Sequence, residues 1–495
     1  MIHLASAIPD MTTGFFLFLA IALALGFEFV NGFHDTANAV ATVIYTNTLK
    51  PYVAVIWSGC WNLIGVLVSS GTVAYGIVAL LPVELVLHVG SGAGFAMVFA
   101  LLLSAIVWNV GTWYLGLPAS SSHTLIGSII GVGVANAVMS GHAWGEGVNW
   151  AKAKEIGMSL LVSPLVGFCA AGLLLLLLKL LVKNPALFTS PEKDKTPPLW
   201  IRGILVLTCT GVSYAHGSND GQKGTGLLVL ILVGILPASY ALNMTTSPEN
   251  VQKIVIQAHA NTEIFVKHSE GKTSSGATGE QLISTFLKSG KTTPETYGAL
   301  ANASQTIEQK LAGTKTFDDL PDKDRRDVRT GIYLVASSVA KLKGDKSLDA
   351  GEIKALNTSK ESFDAVTKYI PGWVKLAVAL SLGLGTMIGW KRIVVTVGEK
   401  IGKSHLTYAQ GACAELVAMI TIELADLKGL PVSTTHVLSS GVAGTMAANH
   451  SGLQMATLRN LLLAWVLTLP VCVLLGSVLF AFGNYMVLNH VFGLK

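Results

Sequence analysis

Two acidic residues stand in matched settings, within Gly32-Phe33-His34-Asp35-Thr36-Ala37-Asn38 and Gly217-Ser218-Asn219-Asp220-Gly221-Gln222-Lys223. A carboxylate placed among neutral oxygen donors suits a cation: a proton, sodium, or a divalent metal carried together with an anion. Asn38 supplies such an oxygen in the first copy, whereas the second copy has Lys223 there, and His34 stands opposite Asn219. An ammonium three residues from Asp220 either cancels a cation site or faces an anion. The plainer alternative is a buried Asp220–Lys223 ion pair with no function of its own.

A second matched pair is longer: Leu117-Pro118-Ala119-Ser120-Ser121-Ser122-His123 and Leu430-Pro431-Val432-Ser433-Thr434-Thr435-His436. Proline is tolerated in the first turn of a helix, and Ser or Thr caps the free N–H groups there. A helix N-terminus attracts negative charge, so two such ends offer a tetrahedral oxyanion hydroxyl and amide donors. Ordinary capping without a ligand is the competing reading. His123 and His436 either donate to the anion, carry protons, or bond to a neighbouring helix. Glu28, Glu415 and Glu423 also fall in apolar stretches, but none has a matched partner; each is a proton relay or a structural group. Trp108-Asn109 and Trp390 read as interfacial or packing residues.

The elements that position these residues are membrane helices. Only 13% of the 495 residues are charged and 51% are hydrophobic, against about 25% charged in a soluble domain, and the mean hydropathy is +0.57. Apolar segments long enough to cross a bilayer run near 12–46, 51–80, 92–115, 119–140, 155–182, 200–241, 372–390, 404–426, 431–450 and 456–488. The expected fold is therefore an all-α polytopic membrane protein of about 10–12 transmembrane segments. Segments 12–46 and 200–241 are long and interrupted by Gly and polar residues, which predicts broken or re-entrant helices. The net charge of +5 is spread over short loops, which excludes a nucleic-acid surface. The five cysteines form no metal or disulfide pattern and read as small buried hydrophobes. Met1 to Phe16 contains no Lys or Arg, so the first apolar segment is expected to be retained.

Residues 243–370 are different: polar, mixed in charge and favourable to helix, they read as a helical soluble insert. The division is then a first transmembrane repeat (1–182), a polar linker (183–199), the start of a second repeat (200–242), the insert, and the rest of the second repeat (371–495). His123 lies 88 residues after Asp35, and His436 lies 216 after Asp220. The excess of 128 equals the insert, so the two halves share one ruler. Five crossings per half place the halves in opposite orientation, the inverted-topology plan of secondary transporters. One face of the chain carries Lys50, Lys183, Lys193, Lys195, Arg202, Lys391, Arg392, Lys400, Lys403 and Arg459, and the other Lys152, Lys154, Lys428 and Lys495. The richer face is expected to be cytoplasmic, with both termini and the insert outside.

At these residues the sequence resembles the inorganic phosphate transporter family, whose signatures are the Asp element repeated in two halves, here His34-Asp35 and Asn219-Asp220, and Pro-x-Ser-x-x-His. The resemblance spans the chain apart from the insert. It implies phosphate import by proton symport through the inner (plasma) membrane, with a neutral complex of hydrogen phosphate and a divalent metal such as magnesium as a possible substrate form. Family phosphate contacts map to Ser120, Ser121, Ser122, Ser433, Thr434 and Thr435. Family cation positions map to Asp35, Asn38, Asn219 and Asp220. His123, His436 and Lys223 join the substrate side, and His34 the cation side. Sodium-coupled members carry Asn-Asp in both halves; His34-Asp35 departs from that and favours protons. Sodium coupling and sulfate transport are the near alternatives, while a phosphatase is disfavoured because all six arginines lie in loops, at span edges or in the insert. No tightly bound cofactor, resident metal or nucleic acid is expected; a homodimer is an allowed assembly.

Overall fold

The computed structural model describes residues 10–35, 37–81, 91–192 and 195–488, apart from the side chains of Ala37, Asn38, Ala238 and Lys288. Lys193 and Lys495, used above for orientation, lie outside the described residues, as does the Asn38 side chain. The principal helices are α1 (Met11–Asp35), α2 (Ala37–Tyr45), α3 (Pro51–Val68), α4 (Thr72–Val78), α5 (Gly92–Tyr114), α6 (Ser121–Met139), α7 (Trp150–Leu181) and α8 (Leu199–Ile235). They continue with α9 (Pro248–His268), α10 (Gly276–Ser289), α11 (Pro294–Leu311), α12 (Asp322–Leu342), α13 (Ala350–Thr367), α14 (Gly372–Met387), α15 (Lys391–Glu399), α16 (Tyr408–Leu427), α17 (Thr434–Ala448) and α18 (Met455–Leu488). No β-strand occurs among the described residues. The chain divides into two compact units, one centred on residues 229–370 and the other built from 18–82, 95–228 and 371–495.

Six stretches, lying wholly or mostly in the second unit, are long and apolar enough to cross a membrane: Met11–Tyr45, Pro51–Val68, Gly92–Tyr114, Ser121–Met139, Trp150–Leu181 and Met455–Val487. Other apolar helices of this unit are shorter, such as α14 and α17 with 16 and 15 residues, or carry charge inside, such as α8 with Asp220 and Lys223. Leu, Val and Phe side chains along these helices remain exposed, as a lipid-facing surface requires. Cys60 and Cys169 are exposed with them, so the expected burial holds only for Cys209, Cys413 and Cys472.

The first half does not show the expected break: Met11–Tyr45 counts as one 35-residue apolar span, and Thr36, between α1 and α2, lies outside the described residues. The matched segment of the second half does not break: α8 runs through Gly217, Asp220 and Gly224 for 37 residues. It contains no proline before Pro237, so every backbone N–H stays available to the ladder. Its glycines serve close approach instead. A Cβ on Gly217 would lie 2.1 Å from the Asn62 carbonyl of α3, and one on Gly65 of α3 would lie 2.3 Å from the Tyr214 carbonyl. The other half repeats this contact with its own residues. A Cβ on Gly32 of α1 would lie 2.3 Å from the Leu382 carbonyl of α14, and one on Gly385 would lie 2.1 Å from the Phe29 carbonyl. The first helix of each half is thus seated on the second helix of the other half, glycine against backbone.

The same exchange recurs one layer further on. Gly131 of α6 faces the Val473 carbonyl of α18, and Gly444 of α17 faces the Phe168 carbonyl of α7. The capped helix of each half therefore packs on the closing helix of the other.

The unit around 229–370 is a helical bundle, α9 to α13, with a core of Val251, Ile254, Phe265, Phe286, Leu300, Val335 and Phe363 among others. Thr293 and Asp349 cap α11 and α13 through their side chains, the latter in a capping box with Glu352. Polar residues cover its outer faces, as the amphipathic spacing of these helices dictates.

Candidate functional site

Asp35, within the Met11–Tyr45 span, is 2% exposed, and Asp220, midway along α8, is fully buried. Hydroxyls of both capped helices converge on them. Ser121 Oγ donates to Asp35 Oδ2 at 2.9 Å and reaches Asp220 Oδ2 at 3.3 Å, while Thr435 Oγ1 donates to Asp35 Oδ1 at 2.5 Å. Lys223, one turn along α8, lies 2.6 Å from Asp220 Oδ2 and donates to Ser121 Oγ at 3.0 Å. His34 contacts Asp35 Oδ1 at 3.2 Å through Nδ1 and Thr112 of α5 at 3.1 Å through Nε2.

A residue that sequence reasoning missed completes the cluster. His216 Nε2 points at both acids, 3.4 Å from Asp220 Oδ2 and 3.9 Å from Asp35 Oδ2. Its Nδ1 is 2.6 Å from Asn62 Oδ1, and Asn62 directs its amide nitrogen to Thr386 and Ser58, which leaves its oxygen for the imidazole. Nδ1 must then carry hydrogen, so a neutral His216 aims the Nε2 lone pair at two carboxylates. That geometry calls for a positive charge on or beside Nε2. Asp35, His216 and Asp220 each offer a ligand atom, all within 4.8 Å of one another. With Lys223 counted, two carboxylates and one ammonium leave one negative charge to neutralise. The sequence signal was available: His216 lies four residues before Asp220, on the same helix face.

The hydroxyl runs divide their work. Ser120 and Ser433 are the caps, accepting from the His123 and His436 N–H groups at 3.2 and 3.1 Å. Ser122 Oγ donates to the Val432 carbonyl at 2.6 Å, and Asn219 holds the same loop through the Leu430 carbonyl and the Val432 N–H. Asn219, expected as a cation ligand, thus positions the start of α17 with both ends of its amide. His123 and His436 lie against each other, tilted by 38° with ring centroids 4.7 Å apart, and Trp465 stacks on His436 at 4.1 Å. His123 Nδ1, His436 Nε2, Thr434 Oγ1 and Asp220 Oδ1 are buried without hydrogen-bond partners. Buried polar atoms are normally paired, so four orphans on the matched elements suit a polar ligand.

Of the unmatched acids, Glu415 accepts from Thr42 of α2 and from Thr208 of α8, Glu28 packs against Gly224 beside Asn31, and Glu423 is half-buried. Asp426, not singled out from sequence, accepts from Ser218 and Gln222 at 2.7 and 2.6 Å and so ties α16 to α8.

Comparison with known proteins gives consistent results. A profile of the Phosphate transporter family matches residues 31–476. The low-affinity inorganic phosphate transporter PitA of Escherichia coli (strain K12) is 42% identical, over 97% of this chain and 99% of its own length. A low-affinity inorganic phosphate transporter of Buchnera aphidicola subsp. Acyrthosiphon pisum is 41% identical over 98% and 100% of the two chains. Among solved structures, one described as a sodium-dependent phosphate transporter has the same fold, with a TM-score of 0.53 at 20% identity, covering 95% of this chain and 99% of that one.

Proposed function

The chain belongs to the phosphate transporter family and is a multi-pass membrane transporter, not an enzyme, and from that premise we propose that it imports inorganic phosphate by proton symport across the inner membrane. One observation carries the coupling: the Nε2 of His216, with its other nitrogen committed to Asn62, faces two buried carboxylates. A proton there neutralises the remaining negative charge of the Asp35–Asp220–Lys223 cluster. Hydrogen phosphate then lodges between the ends of α6 and α17, against Ser121, Thr434, His123 and His436, with Lys223 supplying a positive charge. Hydrogen phosphate still has a proton to donate to a carboxylate, which sulfate at neutral pH lacks, so the buried acids favour phosphate. The exchanged glycine contacts between halves support an inverted pair of repeats that rock about the site.

A sodium ion is the second reading, favoured by the oxygen set of two carboxylates with Ser121 and Thr435 hydroxyls. With a divalent metal, the same cluster would take a metal hydrogen-phosphate complex. Radiolabelled phosphate uptake into proteoliposomes, under separate proton and sodium gradients, with and without magnesium and with sulfate as competitor, tests these readings. Proton-driven, sulfate-resistant uptake is expected. Uptake driven by sodium alone overturns the coupling, and sulfate uptake in place of phosphate overturns the substrate.

A further inference from the structure

Outside the buried cluster, the C-terminal end of α5 and the start of α15 border an open surface cavity of about 630 Å3 lined by Trp113, Tyr114, Trp390, Lys391, Arg392 and Lys400. Among the described residues none of these three cations pairs with a carboxylate. The adjacent acid, Glu399, interacts with Tyr45 and forms no ion pair with these cations among the described residues. Arg392 is held in place: it donates to the Tyr114 carbonyl at 2.8 Å, and its guanidinium lies 5.3 and 4.9 Å from the Trp113 and Tyr114 ring centres. Three cations around one cavity, against the single neighbouring carboxylate of Glu399, leave a net positive charge, and an anion relieves the repulsion among them.

The chemistry narrows the anion. A fixed guanidinium fork matches two phosphate oxygens, and two lysines add point charges. Indole and phenol walls belong to the boundary between hydrocarbon and water, where phosphate groups are presented. We propose that this cavity is a second oxyanion site, distinct in its residues from the buried cluster, that takes a phosphate group: the headgroup of an acidic phospholipid or free inorganic phosphate.

The site adjoins the segment that sets the substrate helix. Thr396 of α15 donates to the Gly116 carbonyl at 2.8 Å, and Trp113 Nε1 donates to the Gly389 carbonyl at 2.7 Å. Gly116 and Gly389 both have left-handed backbones, at φ +68° and +76°, so each bend needs its glycine. From Gly116 the chain runs through Pro118, whose carbonyl accepts from Trp465, directly to the Ser120 cap of α6. An occupant therefore steadies the loop that places Ser121.

The test uses the full chain purified in a neutral detergent, titrated with phosphatidylglycerol, phosphatidylcholine or inorganic phosphate, with bound ligand counted by native mass spectrometry. The R392Q/K400Q variant is expected to lose about thirtyfold in affinity for the occupant, with phosphatidylcholine binding unchanged. Loss for phosphatidylglycerol alone assigns a lipid headgroup, and loss for inorganic phosphate alone assigns the free ion. Arg392→Lys, which keeps charge without the fork, is expected to fall between wild type and the double variant. Arg459→Gln, a cation outside the cavity, is expected to bind as wild type. Equal affinities of wild type and R392Q/K400Q for both phosphate ligands overturn the site.

Discussion

Carboxylates pair with lysine and histidine in both units of the molecule, but in opposite surroundings. In the insert, Lys310 bridges Asp324 and Asp327, and Glu352 takes Lys267 and His268, all at or near the surface. Water shares such pairs, and each contributes roughly 0–1 kcal/mol. In the membrane unit Asp35, His216, Asp220 and Lys223 are at most 3% exposed. There the loss of hydration costs several kcal/mol per ion and only good geometry offsets it. The same residue types thus decorate one unit and burden the other. A burden of that size, kept on matched elements of two halves, is what the proposed coupling role would account for.

Removing the buried acids should break the contrast most severely. Asp35→Asn with Asp220→Asn is expected to lower phosphate uptake in proteoliposomes at least about a hundredfold, equivalent to roughly 3 kcal/mol. Uptake at the wild-type level from a folded double variant would show the cluster to be passive. Lys223→Met strands Asp220 and should cost about 3–5 kcal/mol in thermal unfolding. The D220N/K223M pair should regain most of that stability while transport stays absent, separating folding from function.

Next in size is the glycine seam. Gly32→Ala or Gly217→Ala drives a methyl into a carbonyl oxygen at 2.3 or 2.1 Å, and each should cost about 1–3 kcal/mol. Unequal costs would mean that the two halves do not share the contact equally. Smallest is the surface pair: K267Q should change stability by less than about 1 kcal/mol. Acid sharpens this point. Burial pushes Glu352 up, but hydrogen bonds from Lys267, the Asp349 N–H and His268 outweigh it and hold the carboxyl at about 2, against an ordinary 4.5. Asp345 is likewise held at about 2, against 3.8, where the Thr292, Ser347 and Tyr297 donors outweigh its burial. Their stabilisation is complete above the ordinary values and lost as pH falls toward 2. Limited proteolysis of the full chain, read on peptides of 243–370, should show that unit opening across this acid range, and K267Q should move the onset to higher pH.

Much of the membrane unit was legible because its signals are local or repeated. Hydropathy places the helices, and Pro118 with Ser120, or Pro431 with Ser433, marks two helix starts, expected at 119 and 431 and found at Ser121 and Thr434 with the prolines just ahead of the caps. Repetition at a fixed spacing drew out Asp35, Asp220 and the hydroxyl runs. His216 escaped because its matched position in the first half is Asn31, so repetition gave no signal, and its partner Asn62 is 154 residues away. Gly217, Gly221 and Gly224 were misjudged for a related reason. Glycine inside a helix means a break or a close neighbour, and only the approach of α3 at Gly217 and Gly221, and of Glu28 of α1 at Gly224, decides between them. Asn219 looked like a ligand because of its place beside Asp220; that its amide clasps a loop 213 residues on is a tertiary fact.

The exchanged glycine contacts also set a timetable. Gly217 of α8 finds its seat at Asn62, made 155 residues earlier, so the second half docks onto a partner already in the membrane. Gly32 of α1 must wait for Leu382, 350 residues further along. At about 5–20 residues per second that delay is roughly 20 to 70 s. Throughout it, α1 presents a bare glycine groove and the Asp35 carboxylate to whatever lies beside it in the bilayer, until α14 is made.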